Sequence, residues 1–286
     1  SPATTAAGSP GSSNNSEAPG KRYRLGSRAA VVAYNCEYES HVRRVRPPVA
    51  SDQSTRRLIA EATVWRAELT TRLGPGRHEI LELGVGGGHN LHHVLNPSCD
   101  GSRASPDGCG CRRDNASGST FEFDVTAVDI SEKMLAGSKQ LNPDAEHLVG
   151  DMRSVRLGRT YDAVLIHDAI TCLVSEDELR ATFETVKYHL KPSGLFITTP
   201  DWYAETFPGV RASHDTNRDG EKELTYFSYS HVPDQTETKI ETIFIYMIKE
   251  DGQLRIEQDR HIAGPFPLDT WVSLLAQSGF HIEKLP

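Results

Sequence analysis

The sequence predicts an α/β protein: a doubly wound, mostly parallel sheet with helices on both faces, plus an antiparallel β meander inserted near the C-terminus. Three observations carry this. Short apolar runs alternate with helix-period segments from residue 51 to residue 199, a glycine-rich turn joins the first such run to a helix, and after residue 222 strands follow one another directly.

Leu58, Ile59, Ala62, Trp65, Ala67 and Leu69 recur at near-helical spacing up to Leu73, and Gly74-Pro75-Gly76 ends that helix. Glu79-Ile-Leu-Glu-Leu83 is a strand running into Gly84-Val-Gly-Gly-Gly-His-Asn90, with a helix from Asn90 to Leu95, the opening of a βαβ unit. Residues 96–120 are rich in Ser, Gly, Asp and Arg and read as a mobile surface insertion. Strand character returns at Phe121–Val128; Ser131 is the expected N-cap of a helix carrying Met134 and Leu135. His147–Val149 and Tyr161–Ile166 are further strands, the latter apolar enough to be buried on both faces. A helix is expected over 176–190, a turn at Lys191-Pro-Ser-Gly194 and a strand at Leu195–Thr199. Residues 202–222 look loop-like. Strands follow at Glu223–Val232, Thr238–Lys249 and Leu254–Ile262, with Glu250-Asp-Gly252 as a hairpin turn. Leu268–Ser278 is a last helix and Phe280–Leu285 a last strand.

The domain reading is a flexible tail and lid segment over 1–49 and one domain over 50–286, with 202–262 forming an acceptor-side loop and meander. The first twenty residues are mostly Ser, Ala, Thr, Pro, Gly and Asn, a composition that buries little. Their Ser- and Arg-rich continuation also resembles an organelle transit remnant. Of 286 residues, 24% are charged and 37% hydrophobic, and no apolar run approaches a membrane span. The net charge is −8, from 31 basic and 39 acidic side chains. Such a body has no electrostatic footprint for nucleic acid or anionic lipid. Five cysteines in no scaffold-like density indicate free thiols in a reducing, cytoplasmic setting.

In an open parallel sheet, ligands bind beyond the carboxyl ends of the strands. The polar strand exits here are Glu82 with Gly84–Asn90, then Asp129, Asp151 and His167-Asp168. Glycines let backbone N–H groups approach a ligand, and a carboxylate at the second strand's end suits a ribose diol. A dinucleotide fingerprint would need Gly or Ala where His89 or Leu91 stands, which disfavours a nicotinamide cofactor.

The ordered set Glu82-Leu-Gly-Val-Gly-Gly-Gly88, Val128-Asp-Ile130, Gly150-Asp-Met152, Tyr161-Asp-Ala-Val-Leu-Ile-His-Asp168 and Leu190-Lys-Pro-Ser-Gly194 resembles the class I S-adenosylmethionine-dependent methyltransferases, over roughly Ser51 to Leu285. The resemblance implies a Rossmann-like fold, S-adenosyl-L-methionine as cofactor and S-adenosyl-L-homocysteine as product. It implies that Glu82, Gly84, Gly86, Gly88 and Asn90 face the methionine part and that Asp129 and Ile130 hold the ribose end. Asp151 and Met152 would border the adenine, and His167 would lie near the transferred methyl. A looser likeness is to bacterial small-molecule methyltransferases, including those acting on amino sugars. Two departures stand out. Asp129 follows the glycine loop much later than usual, because the 96–120 insertion intervenes, and such folds finish with a strand beyond Phe280–Leu285, so a seventh strand is expected to be missing and one sheet edge exposed.

The expected activity is methyl transfer to nitrogen or oxygen of a small molecule, with His167 and Asp168 as catalytic candidates and Tyr34, Trp202, Tyr203 and His214 as acceptor contacts. Each has a plain alternative: His167 as a structural histidine, Asp168 as a cap, Trp202 and Tyr203 as core. Tyr34 and Tyr38 suit a lid over the methionine end. The meander would form the acceptor wall or a homodimer contact. Cys99, Cys109 and Cys111 lack a C-x-x-C pair and read as thiols rather than zinc ligands, and His89 with His93 lacks a carboxylate, so no metal is expected. Rival readings are a non-catalytic cofactor-binding module and a same-fold aminopropyl-type transferase.

Overall fold

The computed structural model describes residues 28–32, 53–97, 121–234 and 239–284. Expectations about Tyr34, Tyr38, the three cysteines of the insertion and most of the 1–49 tail lie outside these residues.

Seven parallel strands make the main sheet: β1 (Arg28–Val32), β2 (Gly76–Leu83), β3 (Phe121–Asp129), β4 (Glu146–Val149), β5 (Tyr161–Ile166), β6 (Leu190–Thr198) and β11 (Phe280–Lys284), in the order β11-β1-β6-β5-β2-β3-β4. Sequence order runs outward from β2 through β3 to β4, then returns to β5 on β2's other side. That reversal puts the switch point between β2 and β5, where ligand clefts open.

Each central strand alternates its side chains between two cores. Ile80, Val125, Ala127, Ala163, Leu165 and Ile197 pack with Ala62, Trp65 and Leu69 of α1 (Gln53–Leu73), Leu91 and Val94 of α2 (His89–Leu95), and Leu135 of α3 (Glu132–Leu141). Leu81, Leu83, Val164, Ile166 and Phe196 face the other way, onto Leu179, Phe183 and Val186 of α4 (Glu176–His189) and Trp271, Leu274 and Leu275 of α5 (Leu268–Gln277). These strands read as continuous apolar runs because both faces are covered. The helix starts follow their caps: Ser131 Oγ accepts from Met134 N at 3.3 Å, and Ser175 Oγ from Glu178 N at 3.2 Å.

A second, antiparallel sheet has the order β10-β9-β8-β7, from β7 (Val210–Asp219), β8 (Lys222–His231), β9 (Ile240–Glu250) and β10 (Gln253–Ala263). Asp251 and Gly252 both have positive φ, 52° and 75°, which is the two-residue turn that matches strand twist.

Three expectations are corrected. The stretch read as a loop over 202–222 contains β7. Its residues are mostly polar on both faces, so no alternation betrayed it, and pairing with β8 supplies the order. Lys191–Gly194 is no separate turn but lies within β6, whose register against β5 shifts between Tyr161 and Ala163. Arg28–Val32, counted with the tail, is a strand between β6 and β11, so the sheet has its seventh strand from the N-terminal side, with β11 and β4 as edges.

Candidate functional site at the strand ends

The glycine loop leaves β2 with Gly84, Gly86 and Gly88 all at positive φ, 73°, 55° and 74°. No side chain fits easily there. A Cβ on Gly84 would collide with Ala169 Cβ, and one on Gly88 would sit 2.6 Å from Asn142 Nδ2. Gly84 and Val85 both donate to Val128 O, at 2.8 and 3.1 Å, tying the loop to the end of β3. Asn142 Nδ2 holds the loop's far side by donating to Gly88 O at 2.8 Å.

Asp129 stands at the end of β3, and both its oxygens are oriented by backbone. Oδ2 accepts from Gly86 N and Oδ1 from Ser131 N, each at 2.8 Å. The carboxylate is thereby fixed with lone pairs to spare for a diol. Ile130, the next residue, is 68% exposed beside it. Glu82 is buried at the end of β2, and Asn90 in the first turn of α2 is 5% exposed with neither amide oxygen nor nitrogen hydrogen-bonded. A buried amide without partners is costly unless a ligand satisfies it. Loop, carboxylate, exposed apolar side chain and unsatisfied amide converge at the switch point, and they fit an adenosyl amino acid.

The other expected contacts divide. Asp151 is engaged by its neighbour: Arg153 donates to it from N, Nε and Nη2 at 2.7–3.0 Å and pairs also with Glu178. That guanidinium holds the carboxyl below the usual carboxylate range. Met152 packs against the core on the α4 and α5 side.

His167 is 8% exposed at the end of β5 and clamped between carboxylates. Its Nε2 lies 2.6 Å from Glu61 Oε2 of α1 and its Nδ1 lies 3.3 Å from Asp168 Oδ1, with Trp65 edge-on at 5.4 Å. Burial disfavours the imidazolium, but the two carboxylates together outweigh it and raise the pKa to about 10. The pair of carboxylates thus favours the imidazolium form of His167. Glu61 is the residue that sequence reasoning missed. Its only signal was an acid one turn before Trp65, beside the buried stripe of α1.

Asp168 opens a short 3₁₀ helix, Asp168–Cys172, which also carries Ala169 against the glycine loop. Burial first, then the charges of Asp168, Asp201 and Asp129, push the Cys172 thiol up to about 12. Some of the Cys172 surface still reaches solvent, beside the strand ends that carry these carboxylates. Among the described residues no group of side chains has metal-holding geometry.

The expected acceptor contacts fare unevenly. Trp202 is half-buried, edge-on to Phe207 at 5.4 Å, with the Arg211 guanidinium over its ring at 5.9 Å. Tyr203 is only 1% exposed and packs edge-on to Trp271 at 6.2 Å, so it belongs to the core. His214 stacks on Phe227 at 5.8 Å on the open face of the meander, where the two-residue alternation of β7 puts it, rather than among the strand ends.

Comparison with known proteins agrees with this geometry. The family described as "Methyltransferase domain" matches residues 108–194. The dTDP-3-amino-3,4,6-trideoxy-alpha-D-glucopyranose N,N-dimethyltransferase of Streptomyces venezuelae is 30% identical over 221 residues, 77% of this chain and 82% of the relative. The dTDP-3-amino-3,6-dideoxy-alpha-D-glucopyranose N,N-dimethyltransferase of Streptomyces fradiae is 26% identical over 77% of this chain and 76% of the relative. Among solved structures, Streptomyces venezuelae DesVI superposes with a TM-score of 0.63 at 23% identity, covering 79% of this chain and 85% of that one. The sugar N-methyltransferase KedS8 from Streptoalloteichus gives 0.63 at 20% identity, over 85% and 90% of the two chains. At these identities the structures establish a shared fold.

Proposed function

The chain belongs to the class I S-adenosylmethionine-dependent methyltransferases, and from that membership we propose that its acceptor is the amine of a nucleotide-linked amino sugar. The enzyme transfers a methyl group from S-adenosylmethionine to a small-molecule acceptor. What the cofactor supplies when bound is an electrophilic methyl on a sulfonium, the sulfur leaving as a thioether.

The residues divide the remaining work. Asp129, fixed by Gly86 N–H and Ser131 N–H, receives the ribose hydroxyls, and Ile130 covers the adenosyl group beside it. Gly84–Gly88, Glu82 and Asn90 receive the amino-acid end. Asp151 reaches the adenine side only through oxygens already shared with Arg153. Transfer then depends on holding acceptor nitrogen and methyl in line in a pocket with little water.

The observation that carries the amine reading is the sign of the field at the strand ends. Asp129, Asp168 and Asp201 all act on Cys172, and Glu61 and Asp168 flank His167. Such a field favours cationic partners, here a sulfonium and an amine that arrives as ammonium. His167, already protonated, holds Asp168 in place rather than accepting a proton, and the ammonium proton leaves to water before the lone pair attacks. The named activities of the two Streptomyces relatives point to the same acceptor class.

The test pairs calorimetry with turnover. S-adenosylmethionine and S-adenosylhomocysteine are expected to bind at micromolar concentrations and NAD not at all. A dTDP-linked 3-amino-3,6-dideoxyglucose is expected to gain methyl groups on nitrogen, read by mass spectrometry, while its 3-hydroxy analogue gains none. Methylation of the hydroxy sugar alone would overturn the amine reading.

A further inference from the structure

His189 ends α4 with no exposed surface, and the groups at its two ring nitrogens dictate its tautomer. Nδ1 lies 2.8 Å from Thr185 O, a carbonyl that only accepts, so Nδ1 carries the proton. Leu157 N–H, which only donates, reaches Nε2 at 3.0 Å, so Nε2 carries none. A second proton would set N–H against N–H in a buried place. Around the ring stand Tyr161 of β5 at 6.2 Å and Tyr188 of α4 at 4.9 Å, with the Arg156 guanidinium over Tyr188. Burial first, with the Arg156 charge behind it, outweighs the Thr185 carbonyl and keeps the imidazole's pKa below its ordinary value.

Leu157 lies at the far end of the segment that leaves β4 carrying Asp151 and Met152, and that segment is held along its whole length. At its start Gly150 N donates to Asp129 O at 3.0 Å, beside the carboxylate assigned to the ribose. In its middle Ser154 N and Val155 N donate back to Asp151 O at 3.0 and 2.8 Å. Gly150 is packed so closely that a Cβ there would meet Val155 Cγ2 at 2.8 Å. At its end α4 presents two side chains one turn apart. Thr185 Oγ1 donates to Arg153 O at 2.9 Å and accepts from Arg156 Nη1 at 2.8 Å, while His189 accepts from Leu157 N. Asp151 is held below the usual carboxylate range by Arg153, so it stays ionised wherever an imidazole titrates. We propose that His189 is a positioning residue for the cofactor: the neutral imidazole pins the 150–157 segment to α4, and its protonation releases Leu157 and loosens the adenine side of the site. That role rests on Asp151 and Met152 bordering the adenine.

Nitrogen NMR and calorimetry on the full chain test the two halves of this role. At about pH 7.5 the His189 ring should show a protonated Nδ1 and a bare Nε2. Between about pH 7.5 and about pH 5, the Leu157 amide should lose protection from exchange, after correction for the intrinsic rate. His189→Gln keeps an acceptor near Leu157 N and removes the titration, whereas His189→Asn keeps a donor for Thr185 O and falls short of Leu157. Over that range the wild type should lose about 10-fold more S-adenosylmethionine affinity than His189→Gln. His92, His147 and His167 titrate in both proteins, so the difference belongs to His189. His189→Asn should bind about 10-fold more weakly than the wild type already at neutral pH. A histidine that only stabilises the fold would give the same affinity profile in all three proteins, and that result overturns the proposal, as does a proton on Nε2 at neutral pH. Should the variants fail to fold, the wild-type Leu157 amide decides, since protection that persists to about pH 5 shows that His189 is not the pin. Should Leu157 loosen while affinity holds, the positioning role falls because the adenine lies elsewhere. Failure of S-adenosylmethionine to bind at any pH overturns the cofactor reading, and the positioning role with it, whatever Leu157 does.

Discussion

Asp129 and Gly84 concentrate what single residues contribute to this protein. Asp129 is held by two backbone donors, so its removal costs ligand hydrogen bonds and also unpins Gly86 and Ser131. Asp129→Ala should weaken S-adenosylmethionine binding by about 1–3 kcal/mol, measured by calorimetry; an unchanged dissociation constant would contradict its role at the ribose. Gly84 is constrained twice, by its φ of 73° and by Ala169 against its α-carbon. Gly84→Ala should destabilise the fold by about 1–3 kcal/mol in urea titration and reduce cofactor affinity with it. Both positions were legible in the sequence, because a glycine turn after an apolar strand and an acid at the next strand's end are local patterns. Glu61 was not, since its partner is 106 residues away and nothing local announces the pairing.

Among the elements, legibility followed how much of an element's order comes from its own sequence. β2, β5 and the helix caps carry their cause within a few residues, through apolar runs and Ser131 or Ser175 at the helix starts. β7 and β1 do not. The first is mostly polar and ordered by β8, and the second is five residues inserted between β6 and β11, in a slot that only the assembled sheet defines. The start of α4 shows how one element can serve another. Glu178 accepts from Val174 N at 2.8 Å and also pairs with Arg153, the residue that holds Asp151. Glu178→Ala removes a helix-end acceptor and the second partner of Arg153 together. The expected loss is about 1–2 kcal/mol of stability, read from the urea midpoint, with S-adenosylmethionine affinity nearly unchanged because Arg153 keeps Asp151. A large fall in affinity at unaltered stability would instead assign Glu178 to the cofactor site.

At the scale of the whole molecule, the Glu61–His167–Asp168 clamp joins α1 to the end of β5, assisted by Trp65 Nε1 donating to Thr199 Oγ1 at 3.2 Å and Arg66 to Val94 O at 2.7 Å. Folding therefore takes up a proton wherever His167 would be neutral in the unfolded chain. Its pKa is raised to about 10 in the fold against 6.5 for a free imidazole, because the two carboxylates outweigh the cost of burying the cation. A group raised in this way contributes its full stabilisation below the unfolded value and loses it as pH rises through the folded one. Stability attributable to the clamp should accordingly be constant below pH 6.5 and decline steadily between 6.5 and about 10. Urea midpoints of the wild type and of Glu61→Gln across that window separate this contribution from other titrations. The difference between the two proteins should be greatest at the acid end of the window and shrink toward pH 10. A difference that grew with pH would mean that His167 folds as the neutral imidazole, and it would return to His167 the capacity to accept a proton from the acceptor.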